Sequence, residues 1–152
     1  MERRAQAAME FLMTYGWAIL VVLVAIGALA YFGVLSPEKF LPEKCIVSTG
    51  SGIFCNEFSA NAATDTVTLR LKNILTDSMW VDSVALNSPA CTYSTANTQI
   101  AADGTTDFAL TGCTLTSGDK IKATITITYD VGTAAGAGLS KSTTGQLVSV
   151  VP

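Results

Sequence analysis

The chain contains no histidine among its 152 residues, and only 14% of its residues are charged. Histidine is the usual general base and a common zinc ligand near neutral pH, so enzymes and metal sites built on it are excluded. The four cysteines show no CxxC spacing, which argues against a zinc site. No nucleophile elbow is present either. The sequence therefore predicts no catalytic residue, no cofactor and no bound metal.

Other motifs of binding and modification are missing too. The run from Gly132 to Gly138 lacks the GxxxxGK[ST] order of a phosphate loop, so we expect a mobile loop between two late strands. Asp65, Asp103 and Asp107 lack the spacing of a calcium-binding EF-hand loop. No asparagine begins an Asn-x-Ser/Thr sequon, so N-glycosylation is not predicted. A net charge of −3 offers little to a phosphate backbone, so we expect no nucleic-acid partner.

A long uncharged apolar run near the N-terminus is the dominant feature of the chain. It reads FLMTYGWAILVVLVAIGALAYFGVL from Phe11 to Leu35. As a helix this run would be roughly 37 Å long, whereas the hydrocarbon core of a bilayer is about 30 Å thick. Arg3 and Arg4 precede the run, and the positive-inside tendency places them in the cytoplasm and everything after Leu35 outside. Because Ser36-Pro37 follows as a helix exit and no small-residue cleavage site does, we expect the helix to be retained.

A short ordered motif precedes the apolar run: Arg3-Arg4-Ala5, then Gln6, with a single acid at Glu10 and a long apolar helix after it. This motif resembles the class III signal peptide of archaeal type IV pilin-like proteins. It implies that a prepilin peptidase cuts between Ala5 and Gln6 on the cytoplasmic side and leaves Glu10 fifth in the mature chain. The start QAAMEFL differs from the glycine-rich start of archaellins, which favours a pilin.

The resemblance implies a division into a leader (1–5), an apolar assembly or transmembrane helix (6–35), a linker (36–44) and an extracellular domain (45–152). It also implies a structural subunit, inserted in the membrane as a precursor and assembled by membrane machinery into a homo-oligomeric surface filament that serves adhesion. Small residues in the helix would let neighbouring helices approach closely. They are Gly16, Gly27, Gly33, Ala18, Ala25, Ala28 and Ala30. The alternative is a single-pass anchor carrying an extracellular ligand-binding or envelope domain.

Four cysteines lie in the segment placed outside. An even number of cysteines in an exported domain favours disulfides, and four allow three pairings. We predict Cys45 with Cys55 and Cys91 with Cys113, because each pair joins near neighbours around a short loop.

The extracellular segment has the alternating pattern of antiparallel strands. From Lys120 to Tyr129 apolar residues alternate with lysine and threonine, and Thr66 to Lys72 repeats the pattern. Turn signals separate these strands from other candidates. The other candidates are Trp80–Leu86, Phe108–Leu110 and Gln146–Val151. We therefore predict an α+β chain in which the apolar helix is followed by an all-β immunoglobulin-like sandwich of two layers.

Overall fold

The computed structural model describes residues 2–32, 42–93 and 95–152, with side chains from residue 5 onward. Within it the chain divides into two compact units, Met1–Leu41 and Pro42–Pro152.

The first unit contains the helix α1 (Glu2–Tyr31). Its sequence has no proline to interrupt the backbone hydrogen bonds, and thirty residues at ~1.5 Å each give a length of about 45 Å. The stretch Ala5–Tyr31 is long and apolar enough to cross a membrane. Residues 33–35, at the end of the predicted helix, and 36–41, in the predicted linker, lie outside the described residues.

The second unit is built from nine strands among the described residues. They are β1 (Lys44–Val47), β2 (Ile53–Asn61), β3 (Thr66–Asn73), β4 (Met79–Asn87), β5 (Ala90–Tyr93), β6 (Thr98–Ile100), β7 (Thr105–Leu110), β8 (Lys120–Val131) and β9 (Lys141–Val150). The predicted α+β class, a long apolar helix followed by antiparallel β-sheets, is confirmed.

The strands form two antiparallel sheets. The larger sheet has the order β1-β9-β8-β4-β5, and β6 pairs with β4 beside β5. The smaller sheet has the order β2-β3-β7. Apolar residues of both sheets form one shared core, in which Leu69 and Leu71 of β3 and Ile125 and Ile127 of β8 are fully buried. Burying each such side chain stabilises the domain by about 1.5–3 kcal/mol.

Both disulfides connect the larger sheet to the smaller one. Cys45 of β1 is bonded to Cys55 of β2, and Cys91 of β5 is bonded to Cys113, three residues after β7. A two-residue bridge between Thr92 and Thr111 lies beside the second disulfide. Each disulfide therefore closes one of the two edges at which the sheets meet. These are the pairs that sequence separation favoured.

Five strands coincide with the strands predicted from the sequence, and their inward residues are buried. Along β8, the side chains at alternate positions from Ile121 to Tyr129 are at most 8% exposed. The structure extends β7 back to Thr105 and β9 back to Lys141. It also begins β1 at Lys44, one residue before the predicted domain. The strands β1, β2, β5 and β6 were not predicted.

Candidate functional site

The helix α1 carries apolar side chains around its whole circumference. Large residues on every side are exposed in the single chain, for example Phe11 at 61%, Trp17 at 67% and Leu23 at 64%. A helix that is apolar all round is stable in lipid or inside a bundle of similar helices, because it satisfies its own backbone hydrogen bonds. The structure therefore leaves this helix with a large apolar surface to bury.

Glu10 is the only charged residue between Ala5 and Tyr31. Among the side chains described in the structure, its carboxylate forms no hydrogen bond or ion pair. Thr14, one turn later, is satisfied within the helix because its hydroxyl donates to the Glu10 carbonyl oxygen at 2.8 Å. Glu10 is thus the charged group of this segment, and it has no partner among the described side chains.

Two glycines leave open space on the helix. A Cβ atom placed on Gly16 or Gly27 would meet no atom within 4 Å. Eleven residues are close to three turns, so these two glycines lie on nearly the same face, about 16 Å apart along the axis. The helix itself has no need for glycine there. The predicted cleavage residues, Ala5 and Gln6, both lie within α1.

The strands of the sandwich are connected at its two ends. We call the end at which the described domain begins the base; β1 starts there at Lys44, opposite Val148 of β9. The opposite end, which we call the loop end, carries four connections: 48–52, 74–78, 101–104 and 132–140. These residues join β1 to β2, β3 to β4, β6 to β7 and β8 to β9.

Backbone hydrogen bonds tie the connections of the loop end to one another. The Ile74 N–H donates to the Gly52 carbonyl at 2.9 Å, and the Gly132 N–H donates to the Ser78 carbonyl at 3.2 Å. Gly52 has φ of 76°, and a Cβ atom there would lie 2.5 Å from the Leu75 side chain. Only glycine fits this position without rearrangement.

Asn73, the last residue of β3, is completely buried beneath the loop end. Its amide nitrogen donates to the carbonyl oxygens of Asp77 at 2.8 Å, Ile100 at 3.2 Å and Ala101 at 3.3 Å. Its amide oxygen accepts from the Leu75 N–H at 2.9 Å. One side chain therefore connects the β3–β4 and β6–β7 connections.

Tyr129, on β8 of the larger sheet, anchors the β1–β2 connection. Its hydroxyl donates to the Ser51 carbonyl oxygen at 2.9 Å, and the residue is 4% exposed. Burial raises the pKa of the Tyr129 phenol, because the charged phenolate is poorly solvated there. The neutral phenol is the form that donates this hydrogen bond to Ser51.

Asp130 organises the glycine-rich connection between β8 and β9. It is 2% exposed, although it belongs to the outer face of its sheet. Its Oδ2 atom accepts from the N–H groups of Gly136 at 2.9 Å and Gly138 at 3.4 Å. The Trp80 indole, on the neighbouring strand, donates to the Gly132 carbonyl at 3.3 Å. The residues predicted as a loop are therefore folded over a buried carboxylate.

A cluster of ion pairs covers the outer face of the smaller sheet. Arg70 forms a bidentate pair with Asp107, with Nε–Oδ1 at 2.6 Å and Nη2–Oδ2 at 2.8 Å, and it also pairs with Glu57. Hydrogen bonding to Arg70 lowers the pKa of Asp107, and the same pair raises the pKa of Arg70. All three side chains are substantially exposed, so their net contribution to stability is small.

The three aspartates considered for calcium serve separate structural roles. Asp107 pairs with Arg70, Asp103 pairs with Lys72 at 2.8 Å, and the Asp65 carboxylate accepts from the Leu115 N–H at 3.1 Å. Within the described part of the chain, no group of three or more acidic or cysteine residues is arranged to hold a metal ion.

No protein-family model matches the chain, and no curated protein matches it. The helix and the disulfides together indicate a membrane-anchored or extracellular protein.

Proposed function

We propose that this chain is the structural subunit of an extracellular type IV pilus-like filament, in which the helices form the core and the β-domains form the outer surface. The observation that supports it most directly is Glu10, a carboxylate that has no partner among the described side chains and lies on a helix that is apolar on every side. Glu10 lies near the start of the apolar stretch Ala5–Tyr31, where an acid costs less than at the bilayer centre, but a simple membrane anchor has no use for such a charge even there.

Assembly would supply the partner. Cleavage before Gln6 exposes an α-amino group with an ordinary pKa near ~8, which is positively charged at neutral pH. In a bundle of helices this ammonium group pairs with Glu10 of a neighbouring subunit that enters at a different height. Pairing offsets much of the cost of burying both charges and fixes the register between subunits.

The open faces at Gly16 and Gly27 support the same proposal, since they let neighbouring helix backbones approach closely. The disulfide-bonded sandwich fits the outer surface of such a filament, because its stability rests on its own core and its own covalent links.

Two measurements test this proposal. Mass spectrometry of the native protein is expected to give a chain that begins at Gln6. An intact Met1 would favour the anchored ligand-binding or envelope protein. In the second measurement, filaments are counted by electron microscopy on cells that express only Glu10→Gln.

The Glu10→Gln variant keeps the size and hydrogen-bonding capacity of the side chain but removes its charge, so filament numbers should fall sharply while the disulfide-bonded domain stays intact. Thr14→Val is the matched control, because it removes a polar group one turn away without changing the charge. Normal filament numbers with Glu10→Gln would show that the glutamate is not the assembly contact.

A further inference from the structure

The connection between β8 and β9 combines an uncharged exposed surface with a backbone that is held by several side-chain hydrogen bonds. Residues 131–140 contain no charged side chain. Residues 133–137, with the alanines Ala134, Ala135 and Ala137 among them, are exposed, and Leu139 is 86% exposed. No other described large apolar residue of the second unit exceeds 61% exposure.

The backbone of this loop is fixed from below. The Asp130 carboxylate holds the N–H groups of Gly136 and Gly138, and the Trp80 indole holds the Gly132 carbonyl. A Cβ atom on Gly138 would overlap the Val131 carbonyl oxygen, so this close approach requires glycine. The second carboxylate oxygen of Asp130 is buried without a partner among the described groups.

Burying a carboxylate in this way carries a free-energy cost, and a loop that only had to connect two strands would not require it. This free-energy cost has a physical reason if the loop must keep one particular shape in order to bind. Holding a contact loop in its bound shape reduces the entropy lost on binding.

We propose that the β8–β9 loop is a preorganised contact element that binds uncharged apolar surfaces through Leu139 and its neighbouring alanines. This deepens the proposed function, since it rests on display of the domain outside the cell and names the class of surface to which it adheres. The loop lies at the end of the sandwich opposite the base, away from the point at which the chain enters the domain. The nearest charged residue after it is Lys141, the first residue of β9.

The test measures attachment of cells to four monolayers that end in methyl, hydroxyl, carboxylate or ammonium groups. Cells lacking the protein give the baseline, and the amount of protein on the surface is measured for each variant. Wild-type cells should attach best to the methyl surface. Leu139→Ser should reduce that attachment by roughly tenfold or more, because burying one leucine accounts for at least that factor in binding.

Two further variants separate the loop from general hydrophobicity. Ile46→Ser is the matched control, since Ile46 is also exposed, at 54%, but lies on β1. It should leave attachment unchanged. Gly138→Ala keeps Leu139 but displaces the loop backbone, and it should reduce attachment to the methyl surface as well.

Several outcomes would overturn the inference. They are attachment of wild-type cells no better than the baseline, a preference for a charged surface, or equal effects of Leu139→Ser and Ile46→Ser. A loss of filaments in Leu139→Ser would show that the loop contacts a second copy of the chain. Methyl-specific attachment in cells that form no filament at all would refute the proposed filament and leave the assignment of the loop standing.

Discussion

Replacing Asn73 with alanine is expected to lower the free energy of unfolding of the sandwich by about 3 kcal/mol. The side chain is fully buried and touches four backbone groups, so its loss cannot be compensated by bulk water. An amide group has two N–H donors, which three carbonyl oxygens share, and its oxygen accepts one further bond. These amount to about three hydrogen bonds at roughly 1 kcal/mol each.

The backbone groups that bind the Asn73 side chain would not all be left without a hydrogen-bond partner. The Ala101 carbonyl keeps the Gly104 N–H as a donor at 2.9 Å, whereas the Leu75 N–H and the Asp77 carbonyl lose the Asn73 side chain. The cost should therefore fall mainly on the β3–β4 connection. For a domain of this size 1 kcal/mol corresponds to about 4 °C, so Tm should fall by about 12 °C.

The assay is thermal unfolding of the full chain in detergent micelles, followed by the β-sheet circular dichroism signal with the disulfides intact. Asn61→Ala is the control, since the exposed Asn61 side chain accepts one hydrogen bond, from the Ala63 N–H at 2.9 Å. Its Tm should fall by no more than about 4 °C. Equal shifts for both variants would refute the view that buried amide hydrogen bonds hold the loop end.

Two other predictions concern the links between the sheets. Replacing Cys91 and Cys113 together by alanine should lower the free energy of unfolding by about 3 kcal/mol, because their disulfide closes a loop over a separation of 22 residues; denaturant titration measures it, and an unchanged midpoint would contradict it. Burial raises the pKa of the Tyr129 phenol, so the folded domain favours the neutral form and its stability should be full below pH ~10 and decline as the pH rises further. Tyr129→Phe should lower Tm at pH 8 by removing the bond to Ser51 and should lose part of this alkaline decline; identical pH profiles for both proteins would refute the assignment.

The class of the fold could be predicted because two patterns are clear in the sequence. They are the uncharged apolar run of α1 and the alternation of apolar and polar residues in β3 and β8, and each follows from the surroundings of the side chains. In β3 and β8 one face packs in the core and the other meets solvent, so apolar residues recur at every second position. No knowledge of the partner strands is needed to see this.

The strands that escaped prediction lack that signal for identifiable reasons. In β2 the register shifts between Cys55 and Glu57, so Asn56 is an extra residue and the alternation is broken. The strands β1, β5 and β6 have only three or four residues each. So few residues show little alternation, so pairing with the adjacent strands determines such a strand more than its own sequence does.

The residues that hold the loop end could not be found from the sequence either. Asn73 is the last residue of β3 and Asp130 is the last but one of β8, and a polar residue at the end of a strand is usually solvated. Their burial depends on connections that arrive from distant parts of the chain, such as Ile100 and Ala101 above Asn73. One local signal existed for Asp130, namely its position just before the glycine-rich run, since short acidic side chains often bind nearby backbone N–H groups.

The two units of the chain satisfy their backbone hydrogen bonds in different ways, and this bears on where each acts. The helix α1 satisfies its backbone internally, so it is compatible with an apolar environment such as lipid or a bundle of similar helices. The sandwich depends on strands far apart in sequence and on two disulfides, which form in an oxidising compartment. Its folding is thus tied to an oxidising compartment, and the contacts of the sandwich do not include the charge of Glu10. On the proposed function, loss of the Glu10 charge should reduce filament assembly and leave folding of the sandwich unchanged, whereas a plain membrane anchor would show no effect on either.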